Sequence, residues 1–156
     1  MTSTTPRTAE ARRLGPSSAV RLGLLALVAV GIAGAGLELA FERHWQSFTQ
    51  LIPWVAVAAL VVALVLLAVS ARTVTVVRVL AGTVLLASAY GVFMHVSVNY
   101  GVGAGMDPAW DSLSPLTQWW YALTKTVGAA PPLAPGMLAQ SALLLLLATL
   151  MPKTRA

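Results

Sequence analysis

Residues 51–71 have the sequence LIPWVAVAALVVALVLLAVSA and contain no charged side chain. A helix needs about 20 mainly apolar residues to cross the roughly 30 Å of hydrocarbon in a bilayer. Because backbone N–H and C=O groups find no water in lipid, such a run is expected to be helical. Three further uncharged stretches, 22–37, 79–94 and 133–151, flank this one. The sequence predicts an all-α membrane protein with four transmembrane helices, at about 20–41, 51–71, 75–98 and 133–151.

Composition points to the same class of protein. Charged residues make up 10% of the chain and hydrophobic residues 58%, whereas soluble domains average about 25% and 45–50%. The chain is long enough for one membrane domain, 19–152, preceded by a Ser-, Thr-, Pro- and Arg-rich segment, 1–18, that we expect to be a disordered cytoplasmic tail. The chain contains no cysteine, which excludes disulfides and Cys-ligated metals.

The net charge of +5 indicates topology rather than a nucleic-acid partner. Basic residues are retained on the cytoplasmic side of short membrane loops. Eight of the ten lie at alternate ends of the predicted spans: Arg7, Arg12, Arg13, Arg21, Arg72, Arg78, Lys153 and Arg155. Both termini and the 72–78 loop are therefore expected in the cytoplasm. The bilayer is the expected partner; a membrane-protein partner or a homo-oligomer is left open, and no nucleic acid is expected.

The first span has an alternative interpretation as a secretory signal. Arg12 and Arg13 precede the apolar run, and Ala33-Gly34-Ala35 has the small-residue pattern of a signal-peptidase site. The apolar character continues to Phe41, which a spanning helix needs and a signal does not. We therefore expect a first span, with cleavage as the alternative.

The loop between the third and fourth spans contains a helix signal of its own. Ser114 followed by Pro115 is a typical helix start, and Gly128 a typical stop. Apolar residues recur between them at helical spacing: Leu116, Trp120, Leu123 and Val127. This pattern predicts a short amphipathic helix at the outer membrane surface, with its aromatic rings at headgroup level.

Two matching polar stripes are the most specific pattern in the chain. Residues spaced by 3, 4 and 4 share one face of a helix. The first span has Gly31, Gly34, Glu38 and Glu42, and the third has Ser88, Gly91, His95 and Asn99. Because small residues let membrane helices approach closely, we expect these four to form the helix packing contact: Gly31, Gly34, Ser88 and Gly91. That contact would pair Glu38 with His95.

The same packing predicts an outward-facing polar site. Glu42 would lie level with Asn99, and Gln140 on the fourth span is a plausible third contributor. Ionisable groups at membrane depth indicate function by default, yet a Glu–His contact can also serve only to fix helix packing. The candidate ligand or proton site is therefore Glu38, Glu42, His95, Asn99 and Gln140. A carboxylate beside a histidine could act as a general acid–base pair. No catalytic residue is assigned, because no recognisable nucleophile accompanies this pair.

A metal site would recruit Glu38, His44 and His95, with Glu42 beside them, and would suit zinc, iron or copper. Haem held by His44 and His95 is a further alternative. His44, however, lies two residues beyond Glu42 and would point about 200° away on a continuing helix. We therefore expect no cofactor, and the metal and haem alternatives stay open.

Several motifs together resemble an uncharacterised bacterial family of four-span membrane proteins. The motifs are Glu42-Arg43-His44-Trp45-Gln46 with Gln50-Leu51-Ile52-Pro53, the Gly91, His95, Asn99 series, and Pro132-Leu133-Ala134-Pro135-Gly136-Met137. The family has an acidic stretch soon after the asparagine, where this chain has 101–105. The resemblance covers most of 22–151 and implies architecture and an inner-membrane location, without an activity.

Three functions remain open on the sequence alone. The leading hypothesis is a small bacterial plasma-membrane protein of non-catalytic, accessory type with an outward-facing polar site between its first and third spans. The alternative is a metal- or small-ligand-binding component of transport or cofactor handling. An interfacial enzyme acting on lipid-linked substrates is the second alternative.

Overall fold

A computed structural model describes residues 16–70 and 72–151, so the expected tail lies outside the described residues up to residue 15. This part of the chain is helical and has no strand. The helices are α1 (Pro16–Phe41), α2 (Phe48–Val69), α3 (Val74–Gly101), α4 (Gly103–Met106), α5 (Pro115–Leu123) and α6 (Gly136–Leu150), with a 3₁₀ helix at Trp110–Ser112. The prediction of an all-α chain is confirmed.

Three of these helices, α1, α2 and α3, are long and apolar enough to cross a membrane. Helix α6 has 15 residues and rises only about 22 Å. The apolar run begins earlier, but Pro131, Pro132 and Pro135 lack the N–H groups that a helix requires, and residues 132–135 form turns instead. The described chain therefore has three helices that are long and apolar enough to span a membrane, and a shorter fourth apolar helix.

Helices α1, α2, α3 and α6 form a bundle in which α1 and α3 lie at opposite corners. Helix α6 packs against both α1 and α3, and α2 packs against both as well, whereas α1 and α3 make little direct contact. The core between these helices consists of aliphatic side chains. Its largest fully buried side chains are Val28, Leu60, Leu67, Val77, Val84 and Leu145.

The three glycines of the two stripes pack against α6 and the turn before it, and not against each other. A Cβ at Gly31 would lie 2.5 Å from the Ser141 hydroxyl, and one at Gly91 would lie 2.9 Å from Pro135 Cγ. The Met137 methyl lies opposite Gly34. The expected direct contact between the first and third spans is therefore wrong, because helical spacing identifies a close-packing face without identifying the helix it meets.

The helix predicted in the long loop forms at α5. The Ser114 hydroxyl accepts a hydrogen bond from the Thr117 N–H at 3.2 Å and caps its first turn. Helix α5 packs on α3 through the buried Ala122 and leaves Leu116 and Trp120 exposed. The helix ends at Leu123, earlier than predicted. Its position at a membrane surface stays a prediction.

Candidate functional site

A cavity of about 420 Å³ opens at one end of the bundle. This is the end at which α1 and α3 finish and α2 and α6 begin; we call it the cavity end. Residues from all four helices and from the turn before α6 line the cavity. The opposite half of the bundle is filled by the aliphatic core.

The lining changes from apolar to polar with distance from the core. Ala35, Ala56 and Leu138 belong both to the core and to the cavity, so they form its floor. The ionisable lining residues are Glu38, Glu42, His44, Tyr90 and His95. Glu38, His44 and His95 are partly buried, whereas Glu42 is exposed at the rim. The cavity thus has an apolar interior and a polar mouth.

The two carboxylates have no partner in the described part of the chain. Glu38 and His95 both line the cavity, but the hydrogen bond that would pair them is absent among residues 16–70 and 72–151. His95 instead binds the turn before α6. The cavity lining therefore contains two carboxylates that form no hydrogen bond or salt bridge with another described residue.

His44 lines the cavity although a continuing helix would have turned it away. Helix α1 ends in a Schellman motif: the Arg43 N–H binds the Ala40 carbonyl at 3.1 Å, and the His44 N–H binds the Leu39 carbonyl at 2.9 Å. Arg43 supplies the left-handed residue that this motif needs, with φ 49°. The Trp54 indole N–H then donates to the His44 carbonyl at 2.8 Å, which ties the reversed chain to α2.

His95 is oriented by a backbone carbonyl. Its Nδ1 lies 2.6 Å from the Pro131 oxygen, and because a carbonyl can only accept, Nδ1 carries the proton. Nε2 therefore holds the lone pair when the ring is neutral. The imidazole is thus fixed in a single tautomer, with its second nitrogen available as an acceptor.

The two imidazole rings are neighbours. Their centroids are 6.4 Å apart with the planes tilted by 42°. Burial lowers the pKa of His44 below its ordinary value of 6.5, the nearby His95 lowers it further, and Glu42 opposes both. His44 is therefore a neutral imidazole at neutral pH.

Asn99 holds the long loop and does not line the cavity. Its side-chain amide donates to the Ala122 and Ala130 carbonyls at 3.0 and 2.8 Å and accepts from the Ala130 N–H at 3.0 Å. Gly128, with φ 80°, passes so close that a side chain there would collide with Asn99. The Gly91, His95, Asn99 stripe is thus the face on which the segment 130–135 docks.

Ser88 is the buried polar residue of the cavity wall. It is 3% exposed, it lines the cavity, and its hydroxyl has no hydrogen-bond partner within the described residues. The sequence indicated only a packing role for it, and its position on a stripe with His95 was the available signal. Gln140, in contrast, is exposed on α6 and lies outside the lining.

The described residues contain no group of three or more His, Asp or Glu side chains that could hold a metal ion. The lining combines acceptors (two carboxylates and the His95 Nε2) with one orphan hydroxyl above an apolar floor. Such a surface can solvate a polar head and bury an apolar body.

No family model, curated protein or solved structure matches the chain, so the family resemblance stays a prediction.

Proposed function

We propose that this chain is a small bacterial plasma-membrane protein of non-catalytic, accessory type that binds a small organic molecule in the cavity. Pockets for such molecules usually measure about 300–1,000 Å³ and combine apolar walls with a few placed polar groups. The cavity, at about 420 Å³, has that size and lining. The unpartnered hydroxyl of Ser88 carries the proposal, because a buried polar group without a partner costs stability unless something binds it.

In this proposal α6, with the turn before it, completes a fourth span, both termini are cytoplasmic, and the cavity faces outward. The charges of the described residues support this orientation. Arg72, in the turn after α2, and Arg78, near the start of α3, lie at the end opposite the cavity, whereas Glu38 and Glu42 lie at the cavity end. Retention of basic loops in the cytoplasm then directs the cavity to the outside.

Ligand binding is tested by filling the cavity. Ala87 lines it, whereas Ala89, two residues along α3, is exposed outside the lining. We expect the Ala87→Leu variant, reconstituted in lipid nanodiscs, to lose the saturable binding of 4-phenylbutanol and 4-phenylbutylamine that the parent has. The Ala89→Leu variant adds the same atoms outside the cavity and should bind as the parent does. Equal binding by both variants would contradict the proposal.

A further inference from the structure

We propose that the ligand of the cavity is an organic amine cation with an apolar body. This inference rests on the proposed ligand-binding function and names its substrate class. The cavity lining contains two carboxylates, from Glu38 and Glu42, and no lysine or arginine among the described residues. Although the net charge of the chain is +5, the carboxylates of this lining are not accompanied in it by a lysine or an arginine.

Neither histidine of the lining forms a hydrogen bond with these carboxylates among the described residues. His44 is held neutral because burial and the neighbouring His95 lower its pKa. His95 has its Nδ1–H on the Pro131 carbonyl, so in the neutral ring Nε2 carries the lone pair and can accept. Carboxylates and an imidazole lone pair are acceptors suited to an ammonium group, which offers only donors.

A second observation, independent of the acidic groups, also points to a ligand. Ser88 is 3% exposed, and its hydroxyl, at the depth of the apolar floor, has no partner among the described residues. Among the described residues the cavity therefore combines an apolar floor, a buried hydroxyl without a partner and negative charge near the mouth. An amphipathic molecule with its cationic head toward the mouth fits this gradient.

Other ligand classes fit less well. An anion would approach two carboxylates, and a neutral molecule would leave both of them without a counter-charge. An inorganic cation would use a small part of the 420 Å³ and leave the floor of Ala35, Ala56 and Leu138 uncovered. Size, charge and lining together favour an organic amine.

The test compares three molecules with one apolar body: 4-phenylbutylamine, 4-phenylbutanol and 4-phenylbutanoate. Binding to the full chain in nanodiscs is measured calorimetrically at pH 7.5, with the Ala87→Leu variant as the background for partition into lipid. We expect the amine to bind at least about tenfold more tightly than the alcohol, because hydrogen bonds to charged groups are roughly twice as strong as neutral ones. The butanoate should bind most weakly.

Matched variants assign the preference to the cavity. Glu38→Gln and Glu42→Gln each keep the side-chain shape and should reduce the amine-to-alcohol ratio several-fold. Asp111→Asn removes the same charge from an exposed residue outside the lining and should leave the ratio unchanged. A ratio that neither glutamine variant lowers would overturn the inference.

The outcomes separate this inference from the proposed function. If the alcohol or the butanoate binds as tightly as the amine, and Ala87→Leu abolishes that binding, the cavity binds ligands but the amine assignment is wrong. If no member of the series binds above the Ala87→Leu background, the proposed function fails, and the inference fails with it.

Discussion

Ser88 and Ser141 are two buried serines with different hydrogen bonding. The Ser141 hydroxyl donates to the Met137 carbonyl at 2.9 Å, whereas the Ser88 hydroxyl has no partner in the described part of the chain. A site that keeps such a group unpaired accepts lower stability in exchange for binding. The two residues therefore form a natural pair for comparison.

Removal of the Ser88 hydroxyl should stabilise the ligand-free protein. Because a buried unsatisfied group costs about 1–3 kcal/mol, we expect Ser88→Ala to raise the free energy of unfolding by about 1 kcal/mol and to weaken 4-phenylbutylamine binding. Ser141→Ala loses a made hydrogen bond and should not stabilise. Denaturant unfolding in mild detergent measures both variants. A less stable Ser88→Ala protein would mean that the hydroxyl is already satisfied.

The neutral state of His44 predicts a pH dependence of stability. Its pKa is lower in the folded protein than the ordinary 6.5, so the folded state favours the uncharged ring. Stability from this residue is present above about pH 6.5 and decreases as the pH falls through the lower folded value. In His44→Gln, thermal unfolding between pH 7.5 and 5.5 should therefore show a smaller loss on acidification than the parent. An unchanged acid loss would contradict the assignment, since His95, Glu38 and Glu42 remain in the variant.

At the scale of helices, α6 rather than α3 is the neighbour of the α1 glycines. Gly31 faces Ser141 on α6, whereas a Cβ at Gly36 would meet nothing within 4 Å. These two glycines of one helix therefore differ in packing alone. The comparison tests the helix arrangement independently of the cavity.

We expect Gly31→Ala to destabilise the protein by about 1–2 kcal/mol through overpacking. Gly36→Ala should stabilise it by about 0.5–1 kcal/mol, because alanine is the better helix former. In the double variant Gly31→Ala/Ser141→Ala the clash is relieved, so its destabilisation should be less than the sum of the single effects. Denaturant unfolding of the parent, Gly31→Ala, Ser141→Ala and the double variant measures this cycle. Strict additivity of their changes in unfolding free energy would place Gly31 away from Ser141.

The sequence predicts the elements better than their contacts. The uncharged runs locate α1, α2 and α3 to within a few residues, because lipid allows only helix there. The pairing of α1 with α6 was not predictable, since spacing gives a face and no partner. His44, named only as a metal or haem candidate, was expected to point away from the polar site because the spacing assumed a continuing helix, which the left-handed residue Arg43 interrupts. Asn99 shares a stripe with His95 yet binds the loop, which only the loop's folded path reveals.

At the scale of the whole molecule, the cavity lies at the end of the bundle that carries most of the acidic residues. Four of the five acidic residues lie in the segments of the cavity end: Glu38, Glu42, Asp107 and Asp111. Arg21 at the opposite end donates to the Leu67 carbonyl at 2.7 Å and ties α1 to the end of α2. The four acidic residues outnumber the two basic residues of these segments, Arg43 and Lys125, in agreement with the proposed orientation in a bacterial plasma membrane.

The most direct test of this account is thiol accessibility in intact cells. The chain has no cysteine, so Ala87→Cys and Ala89→Cys each introduce a single thiol, one lining the cavity and one exposed outside it on α3. The probe is a membrane-impermeant cationic methanethiosulfonate, and mass spectrometry measures the modified fraction. An outward-facing, water-accessible cavity predicts modification of the Ala87→Cys protein and none of the Ala89→Cys protein, which faces lipid. Modification of the Ala87→Cys protein only after the membrane is permeabilised, or equal modification of the two, would contradict the account.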